Sequence, residues 1–397
     1  MVMWMVPCLF AGSAATVLAQ EYSPVIEDRV ESPESQPPLA DDAAERRGGW
    51  DLGAVISAAY DDNIFLSSSK PDADMVFRAA PTMAYTKGDQ KEGEGGFIKA
   101  GYRPTAVLYA KNGSENRIDH QLLATAGWRG KVTRITYAGL LQKLGDATSE
   151  TGRPTDRLEF ENEIRVAWIP REKITWELAA GNSFSQYKDP AYFDSAKAYG
   201  EVALRYTYSP KTELGVIYQI GRFKVDGTGA QHSQSLAGSF AWQPREKIAL
   251  KLVAGAEHRN TDNGNTVNPV LEGRLDWALR QDTGIFVTAY MREEASAFYA
   301  GQNYSVKGVT AGISQRLGGE WTIELEGGYE SNAYEVVSGN GTGGRDDSIW
   351  FMRPALVRRL GDESELSFFY RISDNDSNDP SFGYEQQMLG MELNHKF

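Results

Sequence analysis

Charged residues recur at every second position in several stretches of the chain, and that spacing confines them to one face of an extended strand. Glu159, Glu161, Glu163 and Arg165 alternate with Leu158, Phe160, Ile164 and Val166. Lys251 stands between Leu250 and Leu252, Arg274 opposes Leu271 and Leu275, and Glu324 and Glu326 flank Leu325. Lys99, Arg103, Arg205, Arg259, Arg292 and Arg371 complete the set of candidate wall groups. Around an aqueous lumen, arginines select for anions and carboxylates for cations. The plainer outcome is hydration and pairing across strands.

Other patterns carry less chemistry. His120, His232, His258 and His395 are far apart in sequence and form no zinc-ligand spacing. No Gly-x-Ser-x-Gly elbow is present. Asp374-Asn-Asp-Ser-Asn-Asp379, with Glu385 beyond it, mimics part of a calcium loop, but Asp379 stands where that loop needs glycine. A solvated acidic loop is the expectation. No catalytic residue, metal or cofactor is expected.

These charges need strands to hold them. From residue 50 onward, alternating stretches separated by turn signals predict an all-β chain of eighteen strands, with sixteen the next count. The predicted strands run from 50–60 and 75–86 through 268–279, 348–359 and 364–373 to 384–397. The connections alternate. One set is tight, such as Arg129-Gly-Lys131, Pro170-Arg-Glu172 and Leu317-Gly-Gly-Glu320; the other, at 61–74, 145–156, 337–347 and 374–383, is longer and richer in Asp, Asn, Gly and Ser. Trp50, Trp128, Trp168, Trp176, Trp242, Trp277 and Trp321 fall at the start of the first strand or beside tight turns. That places an aromatic girdle at one rim, as in a transmembrane antiparallel up-and-down β-barrel with short periplasmic turns. Closure pairs every backbone group that faces lipid. A ring this wide should admit water, so its inner charges are expected to be solvated and to form no buried ionic core. Leu250 should lie near mid-membrane. The longer connections look too short to fold deeply into the lumen.

The ends and composition agree. Residues 1–19 are apolar and close on Val17-Leu18-Ala19, a signal-peptide pattern, although the first ten residues carry no Lys or Arg. Residues 20–49 hold eight acids, three arginines and four prolines, too polar to bury a core, and read as a flexible periplasmic tail able to fold back into the pore. The barrel is expected over 50–397. The only cysteine is Cys8, and the net charge is −13, most of it in the outer connections. That charge excludes nucleic acid as a natural partner.

The final stretch sets Leu389, Met391, Leu393 and Phe397 against Gly390, Glu392, Asn394 and Lys396. It resembles the last strand of Gram-negative outer-membrane barrels, in which a terminal Phe engages the barrel assembly machinery; Phe397 would take that role. Tyr60-Asp-Asp-Asn-Ile-Phe65, the Pro-Arg-Glu and Leu-Gly turns and Phe397 resemble the β-barrel porin 2 family over about residues 50–397. That likeness implies an outer-membrane pore for solutes, surrounded by lipid and lipopolysaccharide. Because many members accompany exopolysaccharide genes, it also admits a conduit for polysaccharide working with export proteins. An outer-membrane enzyme is a distant third reading.

Overall fold

The computed structural model describes residues 48–88, 94–227, 229–261, 264–300, 302–334 and 344–397. The expected leader at 1–19 and nearly all of the 20–49 segment lie outside the described residues. Eighteen strands follow: β1 (Gly48–Asp61), β2 (Asp74–Lys87), β3 (Gly95–Tyr109), β4 (Arg117–Arg129), β5 (Thr133–Leu144), β6 (Arg157–Arg171), β7 (Ile174–Tyr187), β8 (Ser195–Ser209) and β9 (Thr212–Val225) make the first half. β10 (Gln231–Arg245), β11 (Ile248–Thr261), β12 (Gly264–Arg280), β13 (Thr283–Ala295), β14 (Asn303–Gly318), β15 (Trp321–Tyr334), β16 (Asp346–Arg359), β17 (Ser364–Ser377) and β18 (Tyr384–Lys396) complete it. Each strand pairs antiparallel with its sequence neighbours, and β18 returns to β1, from Gly53↔Lys396 to Asp61↔Met388, so the sheet is a closed barrel without an edge.

Alternation decides the two faces. Ile164, Leu178, Val202, Val216, Ile220, Leu236 and Leu389 are exposed, while Glu163, Arg165, Glu201 and Arg259 on the opposite parity are buried. A soluble sheet would bury the first set and expose the second. The inversion places lipid outside and polar groups within. The predicted girdle is present: Trp168 pairs directly with Trp176 and Ile248 with Trp277 at the tight-turn end, and all but one of the seven rim tryptophans are largely exposed. Tight turns use backbone that only glycine adopts readily, as at Gly318 (φ 102°) and Gly319 (φ 58°) between β14 and β15. Inner aromatics lie across glycines of the next strand. A Cβ on Gly308 would come 2.3 Å from the Tyr290 ring, and one on Gly390 would come 2.5 Å from Phe369.

Most strand ends fall within three residues of the sequence reading, and two differ by four. β12 starts at Gly264 and not at 268, since its first residues pair with the end of β11 down to Thr261↔Gly264. β17 runs on to Ser377 because Asp374–Ser377 ladder with Asp347–Trp350 of β16. The supposed calcium stretch is therefore largely strand. Asp374 faces outward with its cross-strand partner Trp350, whereas Asn375 turns inward and donates to the Phe382 carbonyl. Alternation thus sends these would-be ligands to opposite faces. Leu250 pairs with Trp242, so it lies at the girdle and not at mid-membrane.

Phe397 ends the seam. Its N–H donates to the Leu52 carbonyl at 2.9 Å, and its ring lies edge-on to His395, 4.7 Å between centroids. Deleting Phe397 removes one bond of the β1–β18 closure and the last apolar anchor at the rim. A clear fall in the heat-modifiable, folded fraction in membranes is the expected result, with single-channel properties of the surviving protein unchanged. An undiminished folded yield would show that the terminal residue has no part in assembly.

Candidate functional site

The structure places all fourteen candidate wall residues on the inner face of the barrel. They do not form one ring. Arg165 is the hub of a network across β6–β9: it meets Glu163 at 3.0 Å, Glu177 at 3.2 Å and Glu201 at 3.0 Å. Arg205 continues it to Glu177 at 2.9 Å and Glu213 at 3.4 Å, and the Tyr199 hydroxyl donates to Glu163 at 2.5 Å. The Arg165 and Glu163 side chains are only 3% and 5% exposed. The expectation that the wall charges would all be solvated is corrected here. Neighbouring strands lie about 4.8 Å apart, so long charged side chains on the same face cover one another before water does.

The remaining wall groups pair more locally. Arg103 donates to Gln121 at 2.7 Å. Arg259 meets Glu257 at 2.7 Å, Arg274 meets Asp276 at 2.9 Å and Arg292 meets Glu294 at 2.5 Å, each two residues away on its own strand. Glu159 receives Arg157 in the same way at 2.9 Å. Glu326 stands opposite Arg353, Glu324 opposite Ala355, Lys99 opposite Thr125 and Lys251 opposite Arg274, while Glu161 is buried beside Leu140. Several guanidiniums lie over inner aromatics: Arg371 is 4.6 Å from the Phe351 centroid, Arg353 4.9 Å from Phe369 and Arg292 4.5 Å from Tyr290. Arg157, Glu177, Glu201, Glu213, Glu257 and Arg353 were missed by sequence reasoning. An Arg and an acid two residues apart within a strand is the signal that finds Arg157 and Glu257, because such residues share a face about 7 Å apart, within an arginine's reach.

The outer mouth holds the feature that sequence reading did not anticipate. The β5–β6 connection, residues 145–156, does not stand up from the rim. It folds on itself through an Ala147↔Pro154 bridge and reciprocal bonds between Thr148 and Thr151, and reaches across the mouth. On one side Arg153 meets the Tyr192 hydroxyl at 2.9 Å and Asp189 at 2.8 Å, both in the β7–β8 connection. On the other side Glu150 accepts from Ser296 Oγ at 2.8 Å, the Ala297 N–H at 2.9 Å and the Tyr334 hydroxyl. Arg345, just before β16, donates to the Ser149 carbonyl at 2.8 Å and pairs with Asp347 at 2.5 Å. Its guanidinium sits 3.5 Å from the Phe382 ring centroid and 4.6 Å from that of Tyr334. The β5–β6 and β13–β14 connections lie eight strands apart in a ring of eighteen, so the loop bridges nearly opposite walls. The Phe193 N–H, donating to the Ala297 carbonyl at 2.8 Å, ties a third connection into the same cap. Twelve residues suffice because the connections facing it lean inward to meet it.

Glu150 is the chemical centre of the cap. Part of the residue remains exposed, but its carboxylate is enclosed by donors. Burial pushes its carboxyl above the ordinary carboxylate range, against the pull of Tyr334, Arg345, Ser296 and Phe298. A carboxyl raised on docking favours the docked state at low pH, and that contribution is lost as pH rises through the raised value. Conductance should therefore be lowest in acid and increase as pH climbs above the ordinary carboxylate range. Glu150→Gln, which keeps an acceptor without the charge, should hold the acid-like conductance throughout. A wild-type response of opposite sign, or an unchanged response in the variant, would remove Glu150 as the pH-sensitive contact.

The histidines stay out of the lumen. His120 faces outward and shares a 2.8 Å hydrogen bond with the Tyr102 hydroxyl, beside Leu122, Leu141 and Leu158. His232 and His258 also face outward, and His395 bonds Ser364 at the tight-turn rim. Among the described residues, no cluster of three or more metal-ligating side chains occurs.

No protein-family model and no curated relative matches the chain. Solved structures with a similar fold include OpdQ from Pseudomonas aeruginosa, at 11% identity and TM-score 0.46, covering 88% of this chain and 98% of that one. OccAB4 from Acinetobacter baumannii is similar at 10% identity and TM-score 0.48, covering 89% and 99%. OpdK from Pseudomonas aeruginosa, solved with vanillate, is similar at 10% identity and TM-score 0.45, covering 88% and 99%. A closed barrel of eighteen antiparallel strands, apolar outside and girdled by tryptophan, is a protein of the Gram-negative outer membrane.

Proposed function

We propose that the chain forms a passive, water-filled pore for small polar solutes, narrowed at its outer mouth by the 145–156 loop. The observation that carries this reading is the sidedness of the wall, apolar outside and largely polar within, with charged side chains on most strands. An eighteen-stranded ring is too wide for its own side chains to fill, so water enters. Many wall charges are already paired with neighbours, so the wall acts as a polar lining of mixed sign. The bridged mouth suits small solutes better than a polysaccharide chain, the alternative that the sequence resemblance raised. The purified full chain in liposomes should admit neutral sugars at rates that fall steeply with their size, measured by swelling. No swelling with the smallest sugar would overturn the proposal.

A further inference from the structure

The outward face of the barrel is apolar along most of its height, but one sector changes character near the long-loop end. On β9, Arg222 and Lys224 occupy the same outward parity as Leu214, Val216, Tyr218 and Ile220. On β10, His232 continues the outward row of Leu236 and stands directly opposite Arg222. On β11, His258 stands opposite Gln234, and Asn260 opposite His232. The Tyr218 hydroxyl donates to Gln234 at 3.2 Å and so fixes the lower border of the group. Arg222, Lys224, His232, Gln234, His258 and Asn260 are all exposed. Among the described residues no acidic side chain pairs with Arg222, and Lys224 meets only Asp226, at 4.0 Å with both exposed.

Height identifies what this sector faces. Trp242 marks the girdle on β10. The strand from Trp242 up to His232 rises about 25 Å, at about 3.3 Å per residue and a tilt of about 40°, which is the height of the apolar band of such barrels. The cations therefore sit where acyl chains give way to headgroups in the leaflet at the long-loop side, which faces outward from the cell. The headgroups there belong to phosphorylated glycolipid. At the same height on β17 and β18 the outward residues include Asp374, Asp376 and Glu385, so the basic sector is one side of an asymmetric rim and not a general feature of it.

We propose that the outward face of β9–β11, with Arg222, Lys224, His232 and His258 as its donors, is a binding site for the phosphate groups of outer-leaflet lipopolysaccharide. Arg222 offers a planar fork to a phosphate, Lys224 a mobile charge above it, and each imidazole an N–H donor. The apolar rows of Val216, Ile220 and Leu236 below receive the acyl chains of the same lipid. The site fixes one lipid sector on the barrel and sets its rotational neighbourhood in the membrane.

The test uses the purified full chain in neutral detergent, with diphosphoryl lipid A and a dephosphorylated lipid A as probes and native mass spectrometry as the readout. The wild-type chain should retain diphosphoryl lipid A over the dephosphorylated form. Arg222→Gln with Lys224→Gln should weaken that retention about tenfold or more, while heat-modifiable folding stays normal. His232→Gln with His258→Gln should weaken it by a smaller factor. Asp374→Asn with Asp376→Asn should leave it unchanged. Equal retention of both lipids, full retention by the Arg222/Lys224 variant, or loss only in the Asp374/Asp376 variant would overturn the proposal. So would complete displacement by millimolar inorganic phosphate, which would make the sector a site for the free anion.

Discussion

Arginine in place of Leu236 should destabilise the folded barrel by about 2–4 kcal/mol, the range for a charged side chain at the midplane of the lipid face. Leu236 is 59% exposed and lies between Trp242 at the girdle and His232 at the opposite interface. Its cross-strand neighbours are Tyr218, whose hydroxyl donates to Gln234, and Ala256, neither of which supplies a countercharge for a guanidinium at that depth. Ser235→Arg, one residue away, should be nearly neutral, because position 235 faces the lumen opposite Glu257. Reversible unfolding in denaturant from lipid vesicles measures both. Equal losses would mean that the register of β10, and with it the assignment of faces, is wrong. The same logic ranks Leu250→Arg well below Leu236→Arg, since position 250 sits at the girdle, where the cost falls to about 0–1 kcal/mol.

Removing the Arg345 side chain should release the cap. The Arg345 and Asp347 side chains are 1% and 0% exposed, and breaking a buried pair by deleting one partner costs about 3–5 kcal/mol. The loss falls on the mouth, because Arg345 also holds the Ser149 carbonyl and stacks between Phe382 and Tyr334. The strands, each laddered on both sides, keep their closure. In Arg345→Ala, nicking of residues 145–156 by a broad-specificity protease should speed up by about a hundredfold to a few thousandfold, since 1.4 kcal/mol corresponds to tenfold in the open population. Arg345→Lys should be intermediate: it keeps the charge but loses the fork and the flat stack. Unchanged nicking in Arg345→Ala would show that the loop is held elsewhere.

Strand number, closure and the two faces were legible in the sequence because period-two alternation has to hold at every lipid-facing position of a barrel. The last strand shows this most plainly. Leu389, Met391 and Leu393 are exposed outward as their spacing predicts, and the seam they form with β1 is in register over Gly53–Asp61. Composition misled where polar residues continue a strand. Asp374–Ser377 reads as loop, yet it pairs with β16 because the barrel wall extends above the lipid at that point. Parity placed the wall charges on the inner face but could not give their partners, since Arg165 meets Glu201 across two strand spacings. The cap was illegible for a different reason. Gly145–Asp156 has the composition of any solvated connection, and its anchors, Ser296, Tyr334 and Arg345, lie 146, 184 and 196 residues from their partners in the loop. Only barrel closure brings them together, and no local pattern encodes it.

The measurement that bears most directly on a narrowed pore is single-channel conductance in planar bilayers. The full chain is compared with a variant in which residues 147–154 are replaced by a two-residue Asn-Gly turn, which suits a tight antiparallel connection. Ala147 and Pro154 already face each other across a bridge, so the shorter turn should close without disturbing β5 or β6. Discrete channels are expected from both proteins, with a several-fold larger conductance from the shortened one. No channels from the well-folded full chain, or the same conductance from both proteins, would contradict a pore restricted by this loop.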